Sequence, residues 1–455
     1  MEQVVRRTGE RLCTAVNRNA EQILELARSV SSRSCWIRAM DDPRSDAADA
    51  KVLSEMSVGR GAPSRSDVMI MSHYCGGMLF PTPELTADDL RVLADVDRMR
   101  ADLRHELQAK PGKRAGGLRK FLTADAVSAS NSIEGFRVST VDVEDLIAGE
   151  RDVEVSEENK AETLAYERMM TYIQTLHAVE DFDYSKGFLN ALHWMLQGHR
   201  HTERRPAGQW RAGPVYVTDA RDPSIAAYTA PEVDRVPALM EELVDWLNAD
   251  DGTHPLVRAA MAHLHLVAIH PWADGNGRMS RSLQTLMIAR EGVLAPEFSS
   301  IEGWLGRPGN TWEYYQVLGR RGSTYRPDQD VSEWVRFNLT AYHQQAQTVH
   351  ARWVRSGTVW ALLDEYVAGI RLDERVVSAL HDVAMSGRVR RTRYEQAEGL
   401  SLQQAQRDLR DLVALGVLEP VGRTRARFYT AGPRYPVDVL EVAGTPTTLD
   451  SPYGV

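Results

Sequence analysis

The chain has 455 residues, 43% hydrophobic and 26% charged, a composition that fits a globular protein and excludes collagen-like, coiled-coil and wholly disordered classes. This length corresponds to about three domains of average size. With 54 basic and 63 acidic residues, the net charge of −9 excludes a generally basic nucleic-acid coat but leaves room for one local basic patch.

Three features bear on the cellular compartment. No stretch reaches the roughly 18 uninterrupted apolar residues of a membrane span. The first 20 residues mix Arg and Glu and lack the apolar core of a secretory signal. The cysteines, Cys13, Cys35 and Cys75, are odd in number and have no metal-ligand spacing, which is typical of a reduced compartment. The sequence therefore predicts a cytoplasmic protein without a membrane segment.

The N-terminal part of the chain changes character near residue 69. Residues 1–68 are rich in Ser, Arg, Ala and Asp, which predicts a poorly ordered N-terminal extension. Alternatively, this stretch lies upstream of the natural start, because Met69 and Met71 directly precede more regular sequence.

Residues 69–150 are predicted to be an N-terminal helical region. Apolar residues keep helical spacing from Thr86 to the breaker Lys110-Pro111-Gly112, and two further helical patterns between Leu118 and Ile147 flank Glu134-Gly135.

Helical patterns also dominate residues 151–350. They cover an amphipathic segment reaching Val179, then Ser185 to Leu196, a helix opened by Pro231 and reaching Leu247, a helix from Pro255 to His270, one from near Asn276 to Arg290, and Trp334 to Val349. Between them, Val215-Tyr216-Val217 is bracketed by Pro and Gly residues and predicts a β-hairpin.

The C-terminal part is predicted to be a separate unit after a helical linker at 351–372. Three helical patterns, near 373–386, 392–398 and 401–415, precede two strand patterns at 417–421 and 427–430. Helix-turn-helix followed by a hairpin predicts a winged-helix domain at 373–432, with a tail at 433–455.

The most informative stretch is the loop His270-Pro271-Trp272-Ala273-Asp274-Gly275-Asn276-Gly277-Arg278-Met279-Ser280-Arg281. Its glycines let the backbone approach a ligand, and the free amides of a helix start favour an anion. Arg278 and Arg281 lie on one helix face, where cations oppose the helix dipole unless an anion joins them. Asp274 supplies an oxygen ligand of the kind that Mg²⁺ accepts, and His270 a base titrating near neutral pH. Together these groups predict chemistry on a nucleoside polyphosphate.

Other interpretations of this stretch fit less well. A metal cluster of His263, His265 and His270 is disfavoured, because helix neighbours two apart do not share a face, and packing or surface positions are expected for the first two. The acidic and glycine positions do not follow a calcium loop, and the Gly-Lys-Ser/Thr ending of a P-loop is absent.

The segment resembles the signature of Fic domain proteins, His-x-Phe-x-Asp/Glu-Gly-Asn-Gly-Arg-x-x-Arg, with Trp272 in place of the usual Phe. The Trp272 ring is expected to anchor the loop in the core, in a pocket larger than the one that a Phe would need. The resemblance extends from about Leu118 to Leu318 and includes a flap at 208–217, whose Val215-Tyr216-Val217 would hold the target by strand addition, and the paired Tyr314-Tyr315. It implies a mainly α-helical fold, with a Fic-fold core, a small β-hairpin flap and the winged-helix unit beside it.

The resemblance also implies an activity, transfer of AMP from ATP to a hydroxyl of a target protein with release of pyrophosphate. His270 would take the hydroxyl proton and Asp274 would hold Mg²⁺. Asn276 and the amides near Gly275 and Gly277 would stabilise the α-phosphate. Arg278 would bind the β-phosphate and Arg281 the γ-phosphate. Gly277 stands where the kinase relative Doc has Lys, which favours nucleotidyl transfer.

A built-in brake is a further implication. Ser130-Asn131-Ser132-Ile133-Glu134-Gly135 resembles the family's inhibitory motif, in which the glutamate pairs with the second motif arginine, here Arg281, and blocks productive γ-phosphate binding. Ser130 and Glu134 are four apart and so share a helix face. The alternative is a solvated Glu near a helix end.

The winged-helix unit leaves its partner open between DNA and protein. Arg388, Arg390, Arg391 and Arg393, with Arg423, Arg425 and Arg427 in the wing, suit phosphate contacts, and Gln403, Gln404 and Arg407 would reach base edges. Asp408 and Asp411 would repel a DNA backbone, and such domains also serve as protein-interaction or dimerisation modules. The rival function is a DNA-binding regulator whose Fic core senses nucleotide. An intact His270 argues against it, because nucleotide binding alone needs no base.

Overall fold

Helices make up most of the residues that the structure describes, as the sequence predicts. The computed structural model describes residues 78–109, 112–150, 152–218, 226–423 and 426–454. Two units can be separated, Met1–Pro81 and Thr82–Val455, and all the helices and strands below belong to the second. The predicted extension at 1–68 and the three cysteines lie outside the described residues.

The elements follow the predicted order. The helices are α1 Ala87–Ala109, α2 Lys113–Ile133, α3 Thr140–Ile147, α4 Glu157–Leu176, α5 Lys186–Gln197, α6 Val236–Asn248, α7 Pro255–Ile269, α8 Asn276–Arg290, α9 Pro296–Ser299, α10 Glu302–Leu305, α11 Pro308–Gly319, α12 Ser332–Gly369, α13 Val376–Ser386, α14 Arg391–Glu398, α15 Leu402–Ala414 and α16 Val437–Ala443. The strands are β1 Tyr216–Thr218, β2 Ala226–Thr229, β3 Leu418–Val421 and β4 Phe428–Ala431.

Several helices begin where a serine can cap them. Ser139, Ser156, Ser185 and Ser401 each accept a hydrogen bond from a backbone N–H of the first turn that follows, which satisfies a donor that the helix itself leaves free. The prediction that Pro231 opens a helix is wrong. That helix, α6, begins at Val236 with a proline in its first turn, after a short 3₁₀ turn at Val233–Arg235.

Most of the linker predicted at 351–372, up to Gly369, belongs to one 38-residue helix, α12. Gly357 sits inside this helix because the Arg114 guanidinium occupies the space beside it, and an added Cβ would lie 2.3 Å from Arg114 Nη2. The same guanidinium donates to the Trp353 carbonyl and stacks on the Trp353 ring at 3.8 Å. This packing outweighs the weak helix propensity of glycine.

Two helices at the centre position the candidate site. Nearly every residue of α7 and α8 is buried, and the two pack closely against each other. α2 and α4 pack against α8, and α12 packs against α7. The loop between α7 and α8 therefore emerges from the most enclosed part of the unit.

The two hairpins are antiparallel. In the first, Tyr216 pairs with Thr229 and Val217 with Tyr228, so the predicted Val215-Tyr216-Val217 strand is present, one residue later in the chain. In the second, Leu418 pairs with Ala431 and Val421 with Phe428.

The C-terminal helices and hairpin share a hydrophobic core with the end of α12, through residues such as Val359, Leu380, Leu409 and Val439. The three predicted helices and the two predicted strands are all present. Their assignment as a winged-helix domain and the domain boundaries stay predictions. Among the described residues, none of the helices is long and apolar enough to cross a membrane.

Candidate active site

The candidate site is built on the loop from α7 to α8. α7 ends at Ile269, and His270 follows in the left-handed region at φ 53°. Gly275, just before α8, also has a positive φ of 78°. Left-handed backbone is unfavourable for a residue with a side chain, so its surroundings must hold His270 in place. These two turns bring His270 and the start of α8 to the ends of one short loop.

Trp272 anchors this loop in the core, as predicted. Its ring is buried, stacks on His193 at 4.6 Å between centroids, and donates from Nε1 to Asn190 Oδ1 at 2.9 Å. Its backbone exchanges two hydrogen bonds with the Asn276 side chain, at 3.1 and 2.9 Å. The Asn276 side chain thus holds the loop, while its backbone N–H lies in the first turn of α8.

The His270 ring is arranged as a base. Nδ1 lies 3.0 Å from the Val267 carbonyl oxygen, so Nδ1 carries the proton and Nε2 is left as the acceptor. Burial lowers the pKa of His270, while the Val267 carbonyl opposes that shift. The ring is therefore neutral at pH 7 and can accept a proton.

Arg211 fixes the backbone around this histidine, a role that sequence reasoning did not assign. The buried guanidinium donates from Nε to the His270 carbonyl at 2.9 Å, and also donates to the carbonyls of Gly213 and Pro231. The Arg211 N–H donates to the Pro271 carbonyl at 2.8 Å. One arginine thus joins the loop to the segment that leads into β1.

The first turn of α8 has the features of an anion site. No side chain caps it, so its first backbone N–H groups have no partner within the helix. Asp274 Oδ1 accepts from the Gly275 N–H at 2.6 Å. No group of three His, Cys, Asp or Glu that could hold a metal occurs among the described residues. A single carboxylate beside an anion site still fits Mg²⁺, which is commonly held by one or two carboxylates and substrate phosphates.

Arg278 lies buried beside this turn and is held by a residue that the sequence did not identify. Its Nη1 donates to the Glu162 carboxylate and, at 3.3 Å, to Asn131 Oδ1. Its Nε is buried and has no hydrogen-bond partner among the described residues. A buried N–H without a partner is unfavourable, and a phosphate oxygen at the start of α8 would satisfy it.

Glu162 is fully buried on α4 and contacts three basic side chains. Besides Arg278, His199 Nε2 and Arg200 Nη1 each lie 3.0 Å from its Oε1. It lies four residues before the buried Tyr166, on the inward face of α4. The sequence signal that could have identified Glu162 is a carboxylate within the otherwise apolar stripe of α4.

The end of α2 reaches Arg281. Arg281 Nε donates to Ser130 Oγ at 2.8 Å, and Nη2 donates to Glu134 Oε1 at 2.7 Å. At Gly277 an added Cβ would lie 2.5 Å from Glu134 Oε1, so a glycine is needed for the carboxylate to approach this closely. Tyr315 supports the same helix end by donating to the Ile133 carbonyl at 3.1 Å.

The other histidines of α7 are core residues. His263 is buried between Gln284 Oε1, at 2.6 Å, and the Tyr314 hydroxyl, at 3.0 Å. His265 packs edge-on against Trp246. Burial lowers the pKa of both to about 3. Packing positions were predicted, and a metal cluster with His270 is not formed.

The flap lies close to α7. Tyr228 on β2 donates from its hydroxyl to the Ala268 carbonyl at 2.7 Å. β2 also bonds to the chain on its far side, where the Thr229 N–H donates to the Ser323 carbonyl at 2.8 Å. Within the described residues, β1 pairs with β2 alone, and Tyr216 on β1 is 54% exposed. β1 therefore presents a strand edge.

Three of the four arginines before α15, which the sequence analysis found suited to phosphate contacts, pair with carboxylates of the chain itself. Arg388 and Arg390 both donate to Asp145 on α3, at 2.6 and 2.7 Å, and Arg393 donates to Glu144 at 2.9 Å. Asp145 is fully buried. Their charges bind the C-terminal helices to the helix that follows the Glu134 turn.

The remaining arginine of that group, Arg391, pairs with Glu395 on its own helix. Asp408 was expected to repel a DNA backbone from the surface. It is instead buried and accepts hydrogen bonds from Arg375, at 2.8 and 2.9 Å. Gln404 caps α15 together with Ser401.

The positions that stay open to a partner are few. Gln403, Arg407, Arg423 and Arg427 are exposed, and so is Asp411, while Arg425 lies outside the described residues.

Comparison with known proteins shows which family the central part of the chain resembles. The sequence model of the Fic/DOC family matches residues 183–288, which include the flap and the whole loop. Curated relatives named protein adenylyltransferase Fic include one from Culex quinquefasciatus, 29% identical over 50% of this chain and 47% of the relative. One from Aedes aegypti is 35% identical over 29% of this chain and 25% of the relative.

Among solved structures, a Fic family protein from Desulfovibrio desulfuricans aligns with 78% of this chain and 98% of its own, at 24% identity and a TM-score of 0.48. The chain spans about half the length, or less, of the curated relatives that it matches.

Proposed function

We propose that this protein is an autoinhibited protein adenylyltransferase, which transfers AMP from ATP to a hydroxyl side chain of a target protein. The observation that carries the proposal is the His270 ring, whose Nε2 is left as an acceptor next to an uncapped helix start. Binding a nucleotide requires no base, so this arrangement favours transfer over the rival function of a nucleotide-sensing DNA regulator. The names of the curated relatives support the same activity.

The reaction follows from these groups. The target hydroxyl gives its proton to His270 Nε2, and its oxygen attacks the α-phosphorus. The bond from that phosphorus to the bridging oxygen breaks, and pyrophosphate leaves with the electron pair. The N–H groups of Asn276 and Gly277 stabilise the charge that develops on the α-phosphate.

The arginines and Asp274 hold the rest of the nucleotide. Arg278 binds the β-phosphate through its buried Nε, for which the described part of the chain offers no partner. Arg281 binds the γ-phosphate, and Asp274 would hold Mg²⁺. When bound, Mg²⁺ neutralises phosphate charge during the transfer.

The target segment docks on the flap. The edge of β1, preceded by Val215 and including Tyr216 and Val217, can accept an extended strand by main-chain hydrogen bonds. Such binding brings the backbone of the target to a defined register beside α7 and leaves the hydroxyl free to point at His270. Because main-chain hydrogen bonds do not depend on side chains, this docking does not require a particular target sequence.

Glu134 is the inhibitory residue. It occupies Arg281, which a γ-phosphate would need, and Ser130 fixes the same guanidinium from the side. ATP then binds without its γ-phosphate in place, so the α-phosphate is not held in line with the target hydroxyl. The cytoplasmic location, a homodimer and a DNA or protein partner of the C-terminal unit stay predictions.

The test uses the Glu134→Gly protein and ATP labelled at either the α- or the γ-phosphate. We expect label on protein from α-labelled ATP only, and a rate about 10² to 10⁴ lower after His270→Ala. His105→Ala, an exposed histidine on α1, is the control and should not change the rate. Label from γ-labelled ATP would indicate phosphoryl transfer, and no label from either would refute the proposal.

A further inference from the structure

α5 carries a buried histidine, His193, that the proposed function has not yet used. It is 2% exposed, and both of its ring nitrogens lie within hydrogen-bond distance of backbone atoms. The Gly208 N–H donates to Nδ1 at 2.8 Å, so Nδ1 is the acceptor and the proton of the ring is on Nε2. Nε2 then donates to the Asp274 carbonyl at 3.0 Å. One ring therefore joins Gly208, the first residue of the flap, to the residue proposed to hold Mg²⁺.

The bond to Asp274 fixes the peptide unit that holds its carboxylate. The carbonyl of Asp274 and the N–H of Gly275 belong to one planar peptide unit and point in opposite directions. His193 binds the carbonyl, and the N–H donates to Asp274 Oδ1 at 2.6 Å. Rotation of this peptide unit would break both hydrogen bonds together. The His193 ring therefore sets where the carboxylate lies.

Glycine at position 275 makes such a rotation accessible. Gly275 has a φ of 78°, and glycine adopts left-handed and right-handed backbone almost equally well. An added Cβ at this position would lie 2.9 Å from Gln197 Nε2, so the turn needs a glycine to pack this closely against α5. The same glycine leaves the orientation of the peptide unit to be decided by hydrogen bonds, and His193 supplies one of them.

The start of the flap rests on the same helix. Gly208 has a φ of 69°, and an added Cβ would lie 3.0 Å from the Asn190 carbonyl oxygen. The Asn190 side chain accepts from Trp272 Nε1, and the Trp272 ring lies parallel to the His193 ring, with 4.6 Å between centroids. Asn190 and His193 are three residues apart and so share a helix face. One face of α5 thus contacts both the flap and the phosphate loop.

We propose that His193 is a positioning residue, which fixes the Asp274 carboxylate and the start of the flap relative to each other. This inference rests on the proposed function, in which Asp274 would hold Mg²⁺ and the flap docks the target segment. Transfer requires the target hydroxyl and the α-phosphate to be in line, so a fixed spacing between the docking strand and the metal ligand favours the reaction. His193 acts through these two backbone groups and takes no part in proton transfer.

A histidine that only fills space and satisfies its own nitrogens is the competing interpretation, and His263 is of that kind. His263 is also buried with both ring nitrogens bonded, but its partners are the side chains of Gln284 and Tyr314 in the core. His193 instead binds backbone groups of two separate segments, and both segments belong to the candidate site. His263 therefore serves as a matched control.

Two substitutions separate the two hydrogen bonds of His193. In His193→Asn, Oδ1 can take the place of Nδ1 and accept from Gly208, but no donor reaches Asp274. In His193→Gln, the amide Nε2 can take the place of the ring Nε2 and donate to Asp274, but the acceptor for Gly208 is lost. Both variants lose the ring that stacks on Trp272, so this loss cancels when the two are compared.

The first readout is the factor by which Mg²⁺ raises the affinity for ATP, measured by calorimetry. Both substitutions are made in a Glu134→Gly, His270→Ala protein, which keeps the nucleotide site open and turns ATP over slowly. We expect His193→Asn to lower this factor about ten- to a hundredfold, the usual effect of removing a group that orients a metal ligand. His193→Gln should lower it less.

The second readout is hydrogen exchange at the Gly208 amide. This amide should exchange about two- to tenfold faster in His193→Gln than in the unsubstituted background, since a net hydrogen bond contributes about that factor, and close to the background rate in His193→Asn. The control His263→Gln should lower the free energy of unfolding and change neither the Mg²⁺ factor nor this exchange rate.

The difference between the two variants decides the proposal. An equal Mg²⁺ factor or an equal Gly208 exchange rate in both overturns it, because loss of a packing ring would affect both alike. Nitrogen-15 spectra of the parent ring need no variant: a proton on Nε2 is expected, and a proton on Nδ1 overturns the assignment.

Activity gives a third readout that also separates this proposal from the proposed function. With Glu134→Gly alone as the background, the Mg²⁺ concentration for half-maximal self-labelling should rise in His193→Asn and not in His193→Gln. If the Glu134→Gly protein itself transfers no AMP, the proposed function fails. The Mg²⁺ factor and the exchange rate then still decide whether His193 holds Asp274 and the flap.

Discussion

Replacing Glu134 by glycine should release the brake, and the structure sets the size of the effect. The carboxylate makes one charge-assisted hydrogen bond of 2.7 Å to Arg281, whose side chain is 1% exposed, while that of Glu134 is 28% exposed. Bonds of this kind contribute about 1.5 to 3 kcal/mol. Because about 1.4 kcal/mol corresponds to a factor of ten, self-labelling should rise about ten- to a hundredfold.

The other contacts of Arg281 and of the end of α2 do not involve the Glu134 side chain. Ser130 Oγ still accepts from Arg281 Nε in the variant, and Tyr315 still holds the Ile133 carbonyl, so the arginine and the helix end keep their positions. The gain should therefore come from the freed guanidinium group. Glu134→Gln, which retains the shape without the charge, should give a smaller gain.

The chain offers a matched control. Glu291 also caps a helix, α8, and pairs with a buried arginine, Arg100, at 2.6 Å, but it contacts no part of the phosphate loop. Glu291→Gly should lower the free energy of unfolding and leave the labelling rate at the parent level. Initial rates with α-labelled ATP measure both variants. A folded Glu134→Gly protein that binds ATP and labels no faster than the parent would refute the reasoning.

Three further predictions concern pH and stability. Because burial lowers the pKa of His270, labelling by the Glu134→Gly protein should stay level from pH 8 to below 6.5; a pH-rate profile falling at 6.5 or above would contradict this. Asp145→Asn removes the buried charge that pairs with Arg388 and Arg390, and should lower the unfolding free energy by about 3 to 5 kcal/mol. Urea unfolding measures this loss, and a substitution at an exposed position should change the unfolding free energy little. Burial raises the pKa of Glu302 from 4.5 to about 7, so this group stabilises the fold below pH 4.5 and loses that contribution as pH rises to 7. Glu302→Gln should flatten this part of the stability profile and raise the unfolding free energy at pH 8 by about 3 kcal/mol; an unchanged profile would refute the assignment.

The local features of this protein follow from its sequence. The residues from His270 to Arg281 are contiguous, so glycine, helix-start and charge patterns were enough to predict a loop that binds an anion. Helix starts were predictable for the same reason, since a capping serine and the amide it accepts from are three residues apart. The Glu134 and Arg281 pair was expected from family resemblance, and the structure has this contact at 2.7 Å.

Contacts between distant parts of the chain were decided only by the tertiary structure. Glu162 and Arg278 are 116 residues apart, and Arg390 and Asp145 are 245 apart. Helical periodicity indicates which face is buried but not which helix covers it, so arginines that pair with a buried carboxylate look the same in sequence as arginines that await a phosphate. The same holds for α12, where the Arg114 side chain fills the space beside Gly357, a contact between residues 243 positions apart that the helical pattern of the linker does not reveal.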